Sequence, residues 1–184
     1  MSTHRYTDLD AVVDEIHRLL DAWEQDGSLS PALDANGEIV LRLAVHEWIA
    51  NLVQHAAFGE RETEITLRVD VLRDAVDVAI EDTSSGFDLL GQLEAQESVL
   101  RAPAPSERGR GLLMLITCTE DLDYTPAGDG RQRLSFRLRN PTDAVFAGLF
   151  RPEDAHYDPG ALHGDPALAS GDGLASAPPQ PNAR

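Results

Sequence analysis

Apolar residues recur at helical spacing in the N-terminal part of the chain. Leu9, Val12, Val13, Ile16, Leu19, Leu20 and Trp23 fall on one side of a helix over 9–23, with mostly polar residues between them. "DGSLSPALDANGE" breaks that pattern with Gly and Pro, and a second helix is predicted over 37–57, ending near Gly59. The period then changes from helical to alternating. "TEITLRV" alternates Ile65, Leu67 and Val69, "RDAV" turns, and "VDVAIED" alternates Val76, Val78 and Ile80, which predicts a hairpin of two half-buried strands. "SSGFD" is a turn. Residues 89–108 start as a short helix and end in the loop-like "RAPAPSERG". "GLLMLITCTE" fits a buried helix, although its periodicity also admits a strand. "DLDYTP" and "RQRLSFRLR" predict two strands flanking the turn "AGDG"; in the second, Leu134, Phe136 and Leu138 face one way and Arg133, Arg137 and Arg139 the other.

The predicted order is helix, helix, strand, strand, loop, helix, strand, strand. Helices segregated from strands in this way give an α+β fold: a two-layer α/β sandwich, its helices on one face of a mixed, mainly antiparallel sheet. Residues 1–140 would form this domain. The extension 141–184 has room for one short helix at 143–150, and its Pro-, Gly- and Ala-rich remainder, ending "GLASAPPQPNAR", cannot build a core.

Composition narrows the function. The chain of 184 residues carries a net charge of -17. Nucleic acid is therefore a poor default partner, whereas an acidic surface suits a basic region of another protein. All 15 basic residues are arginine, so a charged side chain that meets a phosphate does so as a fork, and a lysine-dependent P-loop is excluded. The single cysteine, Cys118, rules out an intrachain disulfide and sits in an apolar run, which suits a buried thiol. No apolar targeting stretch opens the chain and no run approaches the ~18 apolar residues of a membrane span. The expectation is a cytoplasmic protein with no membrane association.

Three segments carry chemistry. On the second helix, "VHEWIANLVQHAAF" places Glu47, Asn51 and His55 four residues apart, within about 80° of the helix surface. Leu41, Val45, Ile49, Leu52 and Ala56 form the opposite, anchoring side. A carboxylate here can orient or deprotonate a hydroxyl, and an amide oxygen can ligate Mg2+. The plain alternative is a solvated helix face. His46, Glu47 and His55 do not make a zinc motif, because position 50 is Ala. In "AIEDTSSGFD" a strand ends in Glu81 and Asp82 and turns through Ser84, Ser85 and Gly86. A carboxylate there can accept a hydrogen bond from a ligand amine, and Gly86 lets backbone come close; an ordinary Asp-rich turn would look the same. In "SERGRGLLMLI", Gly109 and Gly111 flank Arg110 at a helix start, where backbone N–H groups suit phosphate oxygens. A flexible turn is the alternative there, and the missing G-x-G-x-x-G context disfavours a dinucleotide fold.

Taken in order, "HEWIANLVQHA", "EDTSSGFD", "GRGLLMLITCTEDLDY" and "GRQRLSFRL" resemble the N-box, the two glycine boxes and the closing strand of the anti-sigma-factor serine kinases of bacterial partner-switching systems. Those kinases belong to the superfamily of gyrase, Hsp90, histidine kinases and MutL. The resemblance covers roughly residues 5–139. It implies ATP and Mg2+ as cofactors, with Glu47 acting on the attacking hydroxyl and Asn51 holding the metal. It also implies that His55 lies near the phosphates or a lid, that Asp82 accepts the adenine amine and that Gly86 turns beneath the base. Arg108, Gly109, Arg110 and Gly111 would form the lid end and the phosphate-facing helix start, with Thr119 and Asp121 beyond it. The implied partners are a small anti-anti-sigma protein, phosphorylated on serine, and a sigma factor; homodimers are common in that family. One departure is visible. The usual D-x-G-x-G reads Asp82-Thr83-Ser84-Ser85-Gly86 here, so Ser84 replaces a glycine and would narrow the adenine pocket or weaken affinity. The segment 88–108 is long, and the chain shows no dimerisation domain with a phosphoacceptor histidine, which disfavours a complete sensor kinase. Three functions stay open: an ATP-dependent serine kinase and anti-sigma regulator, a catalytically weak nucleotide-binding module on the same fold, and an interaction protein whose motifs are accidental.

Overall fold

The computed structural model describes residues 1–86, 89, 115–142 and 145. Its elements are β1 (Ser2–Tyr6), α1 (Leu9–Asp26), α2 (Ala35–His55), β2 (Ile65–Val71), β3 (Val76–Asp82), β4 (Glu120–Pro126) and β5 (Gln132–Leu138). The strands form one sheet in the order β1-β2-β3-β5-β4, and every described pairing is antiparallel. The helices cover one face of this sheet, so the two-layer α+β expectation holds, with the described sheet wholly antiparallel rather than mixed.

Local chemistry sets where the helices begin and end. The Asp8 carboxylate accepts from Asp10 N–H and starts α1, which buries Val12, Ile16, Leu20 and Trp23 and closes on a left-handed Gly27. The Asp34 carboxylate accepts from Gly37 N–H at 2.8 Å and starts α2 two residues earlier than its apolar pattern predicts. Asp34 N–H in turn donates to Asn140 Oδ1 at 2.8 Å, which ties the start of α2 to the chain just beyond β5. Gly37 sits under that contact; a Cβ there would lie 2.5 Å from Asn140 Oδ1.

α2 buries Val40, Leu41, Ala44, Val45, Trp48, Ile49 and Leu52, a wider arc than the predicted anchoring side. It packs on α1 as well as on the sheet, so more than one face is apolar. Along the seam, Arg42 reaches Asp21 at 2.6 Å and Glu24 at 3.0 Å, and His17 Nε2 is hydrogen-bonded to His46 Nδ1 at 2.8 Å. Aromatic edges join the layers: His4 of β1 meets Trp23 of α1, and Tyr124 of β4 meets Trp48 of α2.

Strand alternation divides the sheet cleanly. Ile65, Leu67, Val69, Val76, Val78, Ile80, Leu134, Phe136 and Leu138 face the helices and are buried. The other face carries crossed ion pairs. Arg68 and Arg133 both bind Glu81, at 2.9 and 2.5 Å; Arg5 and Arg131 both bind Glu64; Arg137 grips Asp77 with two bonds, at 2.7 and 2.9 Å. This is where the arginines of β5 go. β1 escapes the sequence pattern because "STHRY" buries only Tyr6. Pairing along β2 defines it, through contacts such as Tyr6 with Ile65 and His4 with Leu67. The predicted apolar helix is helical over 115–118, and burial pushes the half-buried Cys118 thiol up to about 11, as expected of an unreactive cysteine. Most of the segment 89–108, read as a short helix and a loop, and most of the predicted helix at 143–150 lie outside the described residues. Among the described residues no helix is long and apolar enough to cross a membrane.

Candidate functional site

Two pieces of chain build the site: the C-terminal half of α2 and the turn that follows β3. On α2, Glu47 and Asn51 are half-buried and His55 is exposed. The stripe therefore runs from the edge of the core out to solvent. Val45, Trp48, Ile49 and Leu52 hold the helix down beside it, so Glu47 and Asn51 sit on rigid backbone.

β3 is the central strand, and Asp82 is its last residue. Across the sheet it pairs with Ile65 on one side and Gln132 on the other. The pleat splits the two acids at the strand end. Glu81 faces the open side, where Arg68 and Arg133 neutralise it, whereas Asp82 faces the helix layer and is fully buried. Asp82 Oδ1 accepts from Ser84 N–H at 2.9 Å; Oδ2 is buried and, among the described residues, has no hydrogen-bond partner. Burial raises the carboxyl above its ordinary value, and the bonds from Ser84 pull it partly back. A buried carboxylate oxygen without a donor is costly, and such atoms mark positions where a ligand can supply the missing group.

The turn around Asp82 is held from three directions. Thr83 clasps β2: its N–H donates to Glu64 O, its hydroxyl donates to Glu62 O at 2.8 Å, and its Oγ1 accepts from Glu64 N–H. Ser84 is fully buried, and its Oγ accepts from Gly86 N–H at 3.2 Å. Ser85 N–H donates to Ala57 O at 2.9 Å, which fastens the turn to the chain leaving α2 just beyond His55. The stripe on α2 and the Asp82 turn are thus parts of one hydrogen-bonded unit. Gly86 has φ +102, and a Cβ there would come within 3.3 Å of the Gln132 side chain.

The remaining sequence candidates divide. Thr119 Oγ1 donates to Leu115 O and caps the described helical turn, while Asp121 lies on the open side of the sheet, 3.7 Å from Arg137. Arg108, Gly109, Arg110 and Gly111 lie outside the described residues. Sequence reasoning missed Gln132 and the Thr83 clasp; a threonine directly after a strand-end acid was the available signal. A depression on the open face, over Ala79 and Ser135, is separate from this site, and its bordering charges are already matched: Arg68 with Glu81, Arg137 with Asp77, and the terminal amine with Asp70.

Asn51 presents an amide oxygen suited to a hard cation, and Asp82 presents an acceptor suited to an exocyclic amine. Each is a residue type that could hold one end of a Mg2+-nucleotide. The chain is 33% identical over 88 residues to the serine-protein kinases RsbW of Listeria innocua serovar 6a and Listeria monocytogenes serotype 4a, a match covering 45% of this chain and 54% of each relative. It thus spans about half the length of the curated relatives it matches. A solved histidine kinase domain from the Erythrobacter litoralis EL346 blue-light activated histidine kinase aligns at 19% identity with a TM-score of 0.41, over 71% of this chain and 60% of that one. The model of the histidine kinase-like ATPase domain matches residues 7–138, from the approach to α1 through the end of β5. A match that spans both helices, the Asp82 turn and the closing strand places this chain in the histidine kinase-like ATPase domain family.

Proposed function

We propose that the chain binds Mg-ATP between α2 and the Asp82 turn and transfers the terminal phosphoryl group to a serine of a small anti-anti-sigma protein, and that it also binds a sigma factor. The observation that carries this reading is the buried Oδ2 of Asp82, unpartnered among the described residues and fastened through Ser85 and Ala57 to the helix that bears Glu47 and Asn51. The relatives named serine-protein kinase RsbW support the choice of acceptor.

Bound Mg-ATP supplies the phosphoryl group, and its metal offsets phosphate charge. The chain's own groups do the rest. Asp82 accepts the adenine amine and sets the depth of the base. Asn51 offers its amide oxygen to the metal. Glu47, one helical turn earlier, orients the incoming serine hydroxyl and takes up its proton, directly or through water. His55, exposed at the helix end, borders the phosphates. Positioning and charge neutralisation, rather than covalent chemistry by the protein, provide most of the rate in such transfers.

A catalytically weak nucleotide-binding module is the second reading, favoured by Ser84 in a glycine position. Mg-ATP titration of the wild type and Asn51→Ala, followed by thermal unfolding and heat of binding, tests the site. ATP at about 100 times its Kd should stabilise the wild type by about 2.7 kcal/mol, and the variant should lose the Mg2+-dependent part. Radiolabel transfer to an anti-anti-sigma protein, with Glu47→Ala as control, then separates kinase from binder. No stabilisation of the wild type at millimolar Mg-ATP refutes both readings.

A further inference from the structure

We propose that Thr83 is a positioning residue: its hydroxyl, hydrogen-bonded on both sides to the chain between α2 and β2, fixes the last turn of α2 relative to Asp82, so that a ligand reaching both ends of the site is held more tightly than one that touches the Asp82 end alone. This rests on the Mg-ATP reading above.

The chain between the helix and the strand needs such a hold. Leu52 is the last buried residue of α2, and Glu64 is the next buried residue along the chain. Residues 53–63 between them are half-buried or exposed. Val53 and Ala56 touch the core without being buried in it. His55, on the last turn of α2, lies in this stretch and is exposed. Burial alone therefore does not fix its place, and hydrogen bonds take over that task. Arg61 donates to Gly130 O from an exposed side chain, and Ser85 N–H donates to Ala57 O at 2.9 Å. Three more bonds come from Thr83.

Strand geometry explains what the hydroxyl does. β2 and β3 end their pairing at Ile65 and Asp82. One step further, Thr83 N–H still donates to Glu64 O at 3.1 Å. In an antiparallel ladder the reciprocal bond would run from Glu64 N–H to the Thr83 carbonyl. Here Glu64 N–H donates to Thr83 Oγ1 at 3.0 Å. The same hydroxyl donates to Glu62 O at 2.8 Å. Its proton is engaged by a carbonyl and a lone pair by an N–H. The methyl branch at Cβ stiffens the side-chain rotamer that makes both bonds. Thr83 thus carries the hold past the end of the sheet to Glu62. With the Ser85 bond to Ala57, the loop leaving α2 is tied at two places to the turn that follows Asp82.

Asp82 itself does not depend on the hydroxyl. Its place comes from the ladder with Ile65 and Gln132 and from Ser84 N–H. Without the hydroxyl, the backbone bonds of Thr83 and Ser85 remain, and the loop at Glu62 is released. A nucleoside that reaches only the Asp82 end should bind as before. Mg-ATP, with phosphates extending toward His55, meets an end of α2 that must be ordered again on binding, which lowers affinity.

The test is titration of wild type, Thr83→Val and Thr83→Ser with Mg-ATP by calorimetry and with adenosine by ligand-observed NMR. Valine keeps the shape and removes both side-chain bonds; serine keeps both. Two neutral hydrogen bonds of ordinary net worth correspond to about five- to a hundredfold in an equilibrium, and partial exposure puts these two near the lower end. Thr83→Val should therefore bind Mg-ATP about tenfold more weakly, with adenosine within about twofold of wild type, and Thr83→Ser should recover Mg-ATP binding. A fall that is equal for the two ligands, or absent for both, overturns the positioning role while leaving nucleotide binding intact. A wild type that binds neither ligand overturns the nucleotide reading as well. Amide hydrogen exchange in the unliganded proteins gives a second readout: faster exchange at His55 and Ala56 in Thr83→Val supports the role, and unchanged exchange overturns it. If Thr83→Val does not fold, Thr83→Ala takes its place.

Discussion

Replacing Asp82 with Asn separates a ligand-binding carboxylate from a structural one, because the two roles predict opposite effects on the unliganded protein. The side chain keeps its size. Its amide oxygen can stay at the Oδ1 position and accept from Ser84 N–H, which places the NH2 where Oδ2 now stands. A donor then faces the donor amine of adenine. Flipping the amide restores an acceptor for the base but aims the NH2 at Ser84 N–H, so either orientation forfeits one bond. Losing a hydrogen bond to a charged group costs about 2 kcal/mol, and a buried unpaired donor adds about 1–2 kcal/mol. Nucleotide affinity should therefore fall by about two to three orders of magnitude. The unliganded protein should not be destabilised, since burial raises the Asp82 carboxyl and a neutral amide removes that cost. The assay is thermal unfolding with and without Mg-ATP. Ligand at about 100 times the wild-type Kd should raise the wild-type Tm by roughly 6–10 °C, and Asp82→Asn should show almost none of that rise from an unliganded Tm no lower than wild type. A variant that melts several degrees lower without ligand yet keeps the full rise with ATP would refute the reasoning.

Three further outcomes follow from the same geometry. Gly86→Ala places a Cβ at φ +102 against the Gln132 side chain and should cost about 1–3 kcal/mol; an unchanged urea midpoint would show that the turn is not strained. Ile80→Ala empties the centre of the sheet between Leu67 and Leu134 and should cost about 2–5 kcal/mol by urea denaturation, whereas a loss under 1 kcal/mol would mean that the two layers close over the gap. The pH profile of unliganded stability should have two limbs. Protonating Asp82, whose folded value is raised, relieves its burial, so stability rises slightly as pH falls from neutral toward the carboxylate range. Arg137 holds Asp77 below its usual value, and Arg131 and Arg5 hold Glu64 below its own despite burial; their contributions, present above the ordinary carboxylate values, are lost as pH falls below about 4. Asp77 is partly solvated, so its share is modest. Melting temperatures that fall steadily from pH 7 would contradict the Asp82 limb.

The helices and the paired strands were legible because each carries a period. The apolar residues of α1 fall on one stripe, and Ile80, Leu134 and Phe136 alternate as half-buried strands must. β1 was not, since hydrogen bonds to the edge of β2 define it while its side chains are mostly polar. The early start of α2 depended on a cap, Asp34, rather than on apolar spacing. In the site, Glu47, Asn51 and Asp82 were legible as residue types in order. The split between Glu81 and Asp82 followed from the pleat only once their facing partners were placed. Ser84 looked like a defect in a glycine motif, because a sequence shows the missing glycine and not the hydrogen bond that the buried hydroxyl oxygen accepts from Gly86 N–H.

The outer rim of the sheet has a consequence for behaviour in solution. β4 is an end strand, and it contains Glu120, Asp121 and Asp123, a register shift between Glu120 and Asp123 with Asp121 at φ 54, and a terminal Pro126. Acid, kink and proline each discourage a neighbouring molecule from adding a strand there. Two of these guards are fixed in the backbone, but the third is electrical and weakens as salt screens it. Raising the ionic strength should thus make molecules adhere at this rim, and turbidity in concentrated salt would come from association of folded protein before it came from loss of the fold.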